Sequence, residues 1–342
     1  SIIAKNNITT NYIGIGLKQS SSNKFYHNNF INNTNQVKSI GSTNVWDDGY
    51  PSGGNYWSDH ISVDLYSGPY QNETRKDGIG DLPYVIDGIN KDRYPVMIAY
   101  GQPKTLFVPT RYKTIQEAIN TANPKDEIFV FSETYYENVV VNKTVSFIGE
   151  NRNLTIIDGM GIESVVSVIN SDNVLIKGFT IRNSNLSEWH AGIRVYQSNN
   201  CTITENNVTQ NNFGILVTNS NYTLITHSNI SFNLYGCKFQ QGSKNATIKG
   251  NIVENNTHYG VDFDDLSNNF SFVNNMLKAN EYGINITGSA SEGIIYNNNF
   301  VDNIHQVGGN PVSTEWDDGY PSGGNYWSDY TGVDLYSGPY QN

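Results

Sequence analysis

Two cysteines and three methionines are all the sulfur in this 342-residue chain, and 21 Lys and Arg stand against 32 Asp and Glu. Each scarcity removes a class of protein. Cys201 and Cys237 fall at apolar positions of alternating segments, so they read as two buried free thiols and not as a disulfide. A formal net charge of −11, with no runs of Lys or Arg, excludes nucleic acid and anionic membrane as partners. No apolar run is long enough to span a bilayer. What remains is a chain crowded with Asn, Ser, Thr and Tyr.

Its organisation is repetitive at two scales. The phrase WDDGYPSGGNYWSD occupies 46–59 and returns at 316–329, and the match extends over 46–72 and 316–342 with differences only at His60/Tyr330, Ile61/Thr331 and Ser62/Gly332. A repeat of roughly 270 residues follows. The chain therefore reads as the tail of one unit, one nearly complete unit and the start of a junction. In a longer array Asn342 would be followed by a segment like ETRKDGIGD, which here follows Asn72.

The finer repeat is one of about 22 to 24 residues. From 199 onward the chain divides into NNCTITENNVTQNNFGILVTNS, NYTLITHSNISFNLYGCKFQQG, SKNATIKGNIVENNTHYGVDFDD, LSNNFSFVNNMLKANEYGINITG and SASEGIIYNNNFVDNIHQVGG. Short alternating strands joined by Asn- and Gly-containing turns are the sequence form of a right-handed parallel β-helix, in which stacked coils share one core. Ile203, Leu224, Ile248 and Phe272 are expected to point inward on one face, and Ile215, Cys237, Val261 and Ile284 on another. Asn207, Asn229, Asn251, Asn275 and Asn299 are expected to stack as an amide ladder, and Phe213, Tyr235, Tyr259 and Tyr282 as an aromatic column. The segment TIQEAINTA (114–122) carries Thr114 and Glu117 at capping-box spacing, puts Ile115, Ala118, Ile119 and Ala122 on one side and stops before Pro124. It predicts a helix that covers the apolar end of the first coil.

YKTIQEAINTANPKDEIFVFSETYYENVVVNKTVSFIGE together with these coils resembles the NosD-like, carbohydrate-binding and sugar-hydrolase group of pectate-lyase-like β-helices. GNYWSD followed by DLYSGPYQNETRKDGIGDLPYVIDGINKDRYPVM resembles the segment that trails such coils in archaeal cell-surface proteins. The resemblance implies an extracellular, cell-surface location and an all-β fold. The copper role attached to NosD does not transfer, because no cluster of Cys, Met or His suits copper. The expected domains are 1–45, the last coils of a preceding unit; 46–100, an aromatic and glycine-rich inter-unit segment; 101–125, a linker and capping helix; 126–310, the β-helix; and 311–342, the start of a second inter-unit segment.

Three kinds of site are expected. DGIGD resembles the turns of calcium-binding repeats, with Asp77, the Ile79 carbonyl and Asp81 as oxygen donors and Asp64, Asn72, Asp87 and Asp92 as further ligands to Ca2+. In the second copy Asp334 and Asn342 survive without the loop, so that site is expected to be empty or completed by a neighbouring chain. Asn-x-Ser/Thr triplets at Asn7, Asn32, Asn72, Asn142, Asn153, Asn185, Asn200, Asn207, Asn221, Asn229, Asn245, Asn255, Asn269 and Asn285 are candidate N-linked glycan acceptors. The rings of Trp46, Tyr50, Tyr56 and Trp57, and of Trp316, Tyr320, Tyr326 and Trp327, are expected to cover the end of a coil and pack units together, in a phrase too rich in Gly, Pro and Asp to continue the coil.

For catalysis the only candidates are Asp262, Asp264 and Lys238, on an outward face near Arg194, Tyr196, Gln240 and Glu205. Alternation makes outward residues polar in any case, and no complete lyase or hydrolase pattern accompanies them. The sequence favours a glycosylated structural repeat protein that builds a layer, stalk or filament by joining copies of itself end to end. The alternative is a polysaccharide-binding or polysaccharide-cleaving surface protein.

Overall fold

A computed structural model describes residues 1–187, 189–264, 266–287, 289–334 and 338, and divides into two units, Ser1–Lys113 and Thr114–Asn342. The second unit opens with the helix Ile115–Thr121. Thr114 caps it by accepting the Glu117 amide at 3.1 Å, and Ile115, Ala118 and Ile119 are fully buried beneath it. The next coil completes both ends. Glu137 accepts the amides of Ile115 and Gln116, and the Lys143 ammonium donates to the carbonyls of Ile119, Asn120 and Ala122.

From Glu127 the chain winds into three parallel sheets, each coil adding one short strand to each sheet. Registers hold constant from coil to coil. Ile203, Ile225, Ile248 and Phe272 pair along one inward column, and Ile215, Cys237, Val261 and Ile284 along another, all at zero exposure. The inward residue of its coil is thus Ile225 and not Leu224, which pairs outward with Thr202 and Thr247. Each such side chain removed from water contributes about 1.5–3 kcal/mol. Cys201 and Cys237 are buried free thiols.

The corners explain the asparagine content. Left-handed residues recur at 200, 205 and 210, then at 222, 227 and 232, then at 245, 250 and 255, and so on around the stack. Asn tolerates that conformation better than most residues, and Gly250 needs no tolerance. The residue after such a corner turns its side chain into the wall. Two amide ladders result: Asn206, Ser228, Asn251, Asn275, Asn298 and Asn325 in one, and Asn211, Asn233, Asn256, Asn280 and Asn303 in the other. Asn233 shows the pattern. Its Oδ1 accepts the backbone and side-chain N–H of Asn211, while its Nδ2 donates to the Val208 and Ser231 carbonyls and to Asn256 Oδ1. The expected ladder is therefore corrected by one residue at three places: Asn207, Asn229 and Asn299 begin strands, and Asn206, Ser228 and Asn298 hold the wall.

The first unit has two such coils, 22 residues apart in register, followed by the segment from 46. The phrase 46–59 does continue the coil in its second half. Tyr56–Trp57 pairs in parallel with Asn29 and Phe30, and Asn55 extends the ladder from Asn28. The Gly53–Gly54 turn returns the chain to the wall after the irregular stretch that precedes it. Trp46 stacks on Phe25 at 4.3 Å, Trp57 on Phe30 at 4.1 Å, and Tyr84 on the far side of Trp57 at 4.1 Å. Tyr50 instead donates to the Thr110 carbonyl. Under this lid Asp92 is fully buried, and its carboxylate accepts the Asn55 and Tyr94 amides, Asn55 Nδ2 and Trp57 Nε1. Burial pushes its pKa up to about 7 against the pull of these donors.

Two stability measurements follow. Asn233→Ala removes a five-bond wall residue and is expected to cost about 2–3 kcal/mol in denaturant unfolding, whereas Asn229→Ala, whose Oδ1 is buried without a partner, should stay within about 0.5 kcal/mol; equal costs would refute the ladder assignment. Because the folded pKa of Asp92 is raised, its contribution is complete below about pH 4 and is lost as pH rises through 7. Asp92→Asn should therefore gain on the parent by on the order of 2 kcal/mol between pH 5 and 8. Parallel stability curves for the two proteins would show that the carboxylate titrates normally.

Candidate functional site

The sheet running from Ala191–Tyr196 through Phe213–Thr218, Tyr235–Gln240, Tyr259–Phe263 and Tyr282–Ile286 to His305–Gly309 carries the chemistry of the second unit. Strand alternation sends every other side chain outward, and constant register aligns them. One outward row holds Arg194, Leu216, Lys238, Asp262 and Asn285. Beside it runs the aromatic column, with Phe213 and Tyr235 stacked at 4.8 Å, Tyr259 and Tyr282 5.4 Å apart, and His305 4.6 Å from Tyr282. All four expected rings are half-buried, so one face of the column reaches solvent.

The structure brings Lys238, Asp262 and Asp264 together. The ammonium donates to Asp262 at 2.6 Å and to Asp264 at 3.3 Å. Asn285 donates to the other Asp262 oxygen at 2.7 Å, and Thr287 to the other Asp264 oxygen at 3.1 Å. Burial opposes the charge on Lys238, but the two carboxylates more than offset it and its pKa is raised. The ammonium stays charged and both carboxylates stay engaged. Glu205 takes no part, since it pairs with Lys177 at 3.0 Å, and the Arg194 guanidinium lies over the Tyr196 ring. Lys238 and Asp262 line a groove of about 470 Å³ together with Trp189, Phe213, Tyr235 and Tyr259. Trp189 is half exposed. The aromatic column was visible in the periodicity; Trp189 and Asn285 were not, because loop closure and burial bring them to the site.

In the first unit the DGIGD loop is held by its own carboxylates. Asp64 accepts the amides of Asp77 and Gly78, Asp77 accepts the Ile79 amide and Gln71 Nε2, and Asp81 accepts those of Leu65 and Tyr66. Burial, with the charges of Asp77 and Asp81 nearby, pushes Asp64 up to about 6. Asp87 caps its own turn at Ile89 and Asn90, and Asp92 lies under Trp57, so neither joins the loop. Asn72 is exposed. Among the described residues no group of three or more His, Cys, Asp or Glu is arranged to hold a metal.

Most expected glycan acceptors reach solvent, and Asn32, Asn200, Asn255 and Asn269 are exposed left-handed corners. Asn285 is corrected: it is buried, with its Nδ2 bonded to Asp262, and cannot carry a glycan in the folded protein. In the second copy of the tryptophan phrase, Trp316 and Trp327 are half-buried and Tyr320 and Tyr326 exposed. Asp334 is exposed, and Asn342 lies outside the described residues.

The profile of the periplasmic copper-binding protein (NosD) family matches residues 1–61 and 119–332. Among solved structures, pectate lyase Pel9A aligns with a TM-score of 0.50 at 14% identity, covering 66% of this chain and 73% of its own. An alginate lyase from Paenibacillus aligns at 0.37 and 12%, covering 65% and 97%, and a pectin methylesterase from carrot at 0.35 and 13%, covering 68% and 88%. The likeness to the pectate lyase is one of fold, the right-handed parallel β-helix. No curated protein matches. Among the described residues no helix is long and apolar enough to cross a membrane. Copper does not fit the residues present: both thiols are buried apart in the coil stack, and the described donors form no cluster. With the family profile spanning most of the chain and both matched segments containing coils, this chain belongs to the NosD family.

Proposed function

We propose that this NosD-family β-helix is a carbohydrate-binding protein that acts outside the cytoplasm and holds a glycan along its Ala191–Gly309 face without cleaving it. The observation that carries the reading is the groove itself: half-exposed rings of Trp189, Phe213, Tyr235 and Tyr259 next to a fixed polar cluster. Flat apolar rings match the C–H faces of sugars, and convergent polar atoms match their hydroxyls. Cleavage by a carboxylate pair needs one acid that can give a proton and one base that can take it. Here Lys238, Asn285 and Thr287 occupy both carboxylates. Two carboxylates against one ammonium also leave the cluster negative, so neutral glycans are favoured over uronates or sulfated chains.

A second reading has its own support: the tryptophan phrase closes the coils of the first unit and recurs at the end of the second. In that reading units join end to end into a surface layer or filament, with glycans on exposed corners keeping the flanks soluble. The two readings are compatible, since they use different parts of the molecule.

The test of the first is calorimetric titration with neutral and uronate oligosaccharides. Binding of a neutral chain, weakened at least about tenfold by Tyr235→Ala and by Trp189→Ala, is expected. Uronate-only binding, or release of new reducing ends, would remove the reading.

A further inference from the structure

The first unit holds a cavity of about 140 Å³ that the coil repeat does not explain. Residues of three segments wall it, from 76–78, 96–100 and 104–111, with Asp64 beside them. Hydrogen bonds tie these segments down. The Met97 amide donates to the Gly78 carbonyl at 3.2 Å, the Thr110 hydroxyl to the Lys76 carbonyl at 2.7 Å, and the Tyr100 hydroxyl to the Gly54 carbonyl at 3.1 Å. The walls are thereby preorganised, which lowers the ordering cost of binding.

The charge of this lining runs against the composition. The chain carries a net charge of −11, yet Lys76, Lys104 and Arg111 line the cavity with one carboxylate, that of Asp64. Arg111 donates to the carbonyls of Ser52 at 3.1 Å and Asp77 at 3.5 Å, and among the described residues it makes no ion pair. Asp77 feels that charge, but its carboxylate is engaged by Gln71 Nε2 and the Ile79 amide. Each terminal nitrogen of Arg111 keeps a second N–H, the pair that a carboxylate fits. Val96, Ile98 and Phe107 make the rest of the wall apolar. Gly78 opens the space between the two poles. Asp64 accepts its amide at 2.9 Å, and a Cβ there would stand 3.3 Å from the Arg111 guanidinium, 3.8 Å from the Thr105 carbonyl and 3.9 Å from the Phe107 ring. Its φ of +83° favours glycine as well.

We infer that this cavity binds a small carboxylic acid that carries a hydrogen-bond donor on the carbon next to the carboxylate, an α-hydroxy or α-amino acid. The carboxylate sits against Arg111, with Lys76 adding positive charge, and the donor reaches across Gly78 to Asp64. The short carbon chain meets Val96, Ile98 and Phe107. Size sets the limit: an apolar cavity of about 150 Å³ takes benzene, so this one takes about six non-hydrogen atoms. A glycan chain is too large for it, and the site is distinct in ligand from the groove of the second unit.

The experiment is calorimetric titration of the full chain near neutral pH with L-lactate, L-alanine and the uncharged L-lactamide. Saturable one-site binding of at least one acid is expected, lactate identifying a hydroxyl as the donor and alanine an ammonium. Lactamide should bind at least about tenfold more weakly than lactate or not at all. Arg111→Met should abolish saturation. Because Arg111 also holds two carbonyls, two exposed lining positions provide independent variants. Ile98→Trp, which fills the cavity, and Lys76→Met, which removes charge, should each weaken the acid at least about tenfold, with an unchanged melting midpoint to show that the variant folds. Failure of both acids to saturate, equal binding of lactamide, or an affinity indifferent to Ile98→Trp overturns the proposal.

Discussion

The amide-to-amide hydrogen bond between one coil and the next is the interaction on which this protein depends. A coil of 22 to 24 residues must turn three corners, and each corner exposes backbone that has no strand partner. A left-handed residue makes the turn, and the Asn or Ser after it fills the wall with a side chain that both accepts and donates. Because each amide is bonded to the coil above and the coil below, no coil is independent of its neighbours. The apolar columns supply most of the burial, while the ladders fix the register in which burial can occur.

A solenoid built this way has ends, and the ends are where its sequence departs from the repeat. At the start of the second unit a helix covers the first coil, held by Glu137 and Lys143 from the turns between its strands. In the first unit, the coils end instead in a tryptophan lid that borrows one more strand from itself. The lid is sealed by a buried carboxylate, Asp92, surrounded by N–H donors. That arrangement is more directional than an apolar plug: the adjacent Asp92 and Arg93 satisfy Asn55, Trp57 and Asp47 together.

The lateral face answers a different demand. Outward residues of a β-helix are free of packing constraints, so a buried ion cluster there is informative. Lys238 is held between Asp262 and Asp264, and Asn285 and Thr287 satisfy the remaining oxygens. Such a network is rigid, and its groups are committed to one another. Rigidity suits recognition, whereas acid–base catalysis needs a proton with somewhere to go.

Periodic features were legible in the sequence because they are local. The coil length, the column of Phe213, Tyr235, Tyr259 and Tyr282, the capped helix at 115–121 and the buried thiols all follow from alternation and spacing. Adjacent asparagines were not: in ENNV the first follows the corner and enters the wall, and the second begins a strand, a choice set by backbone angles that composition does not reveal. Leu224 and Ile225 were confused for the same reason. The remaining decisions belonged to tertiary structure. Asn285 ceased to be a glycan acceptor because Asp262, 23 residues earlier, lies beside it, and Asp92 became a buried acceptor because Trp57, 35 residues earlier, stacks over the same coil end. Sequence alone determined what repeats and with what period; only the folded coil decided which polar residues face inward, since that depends on partners brought near by winding and not by adjacency.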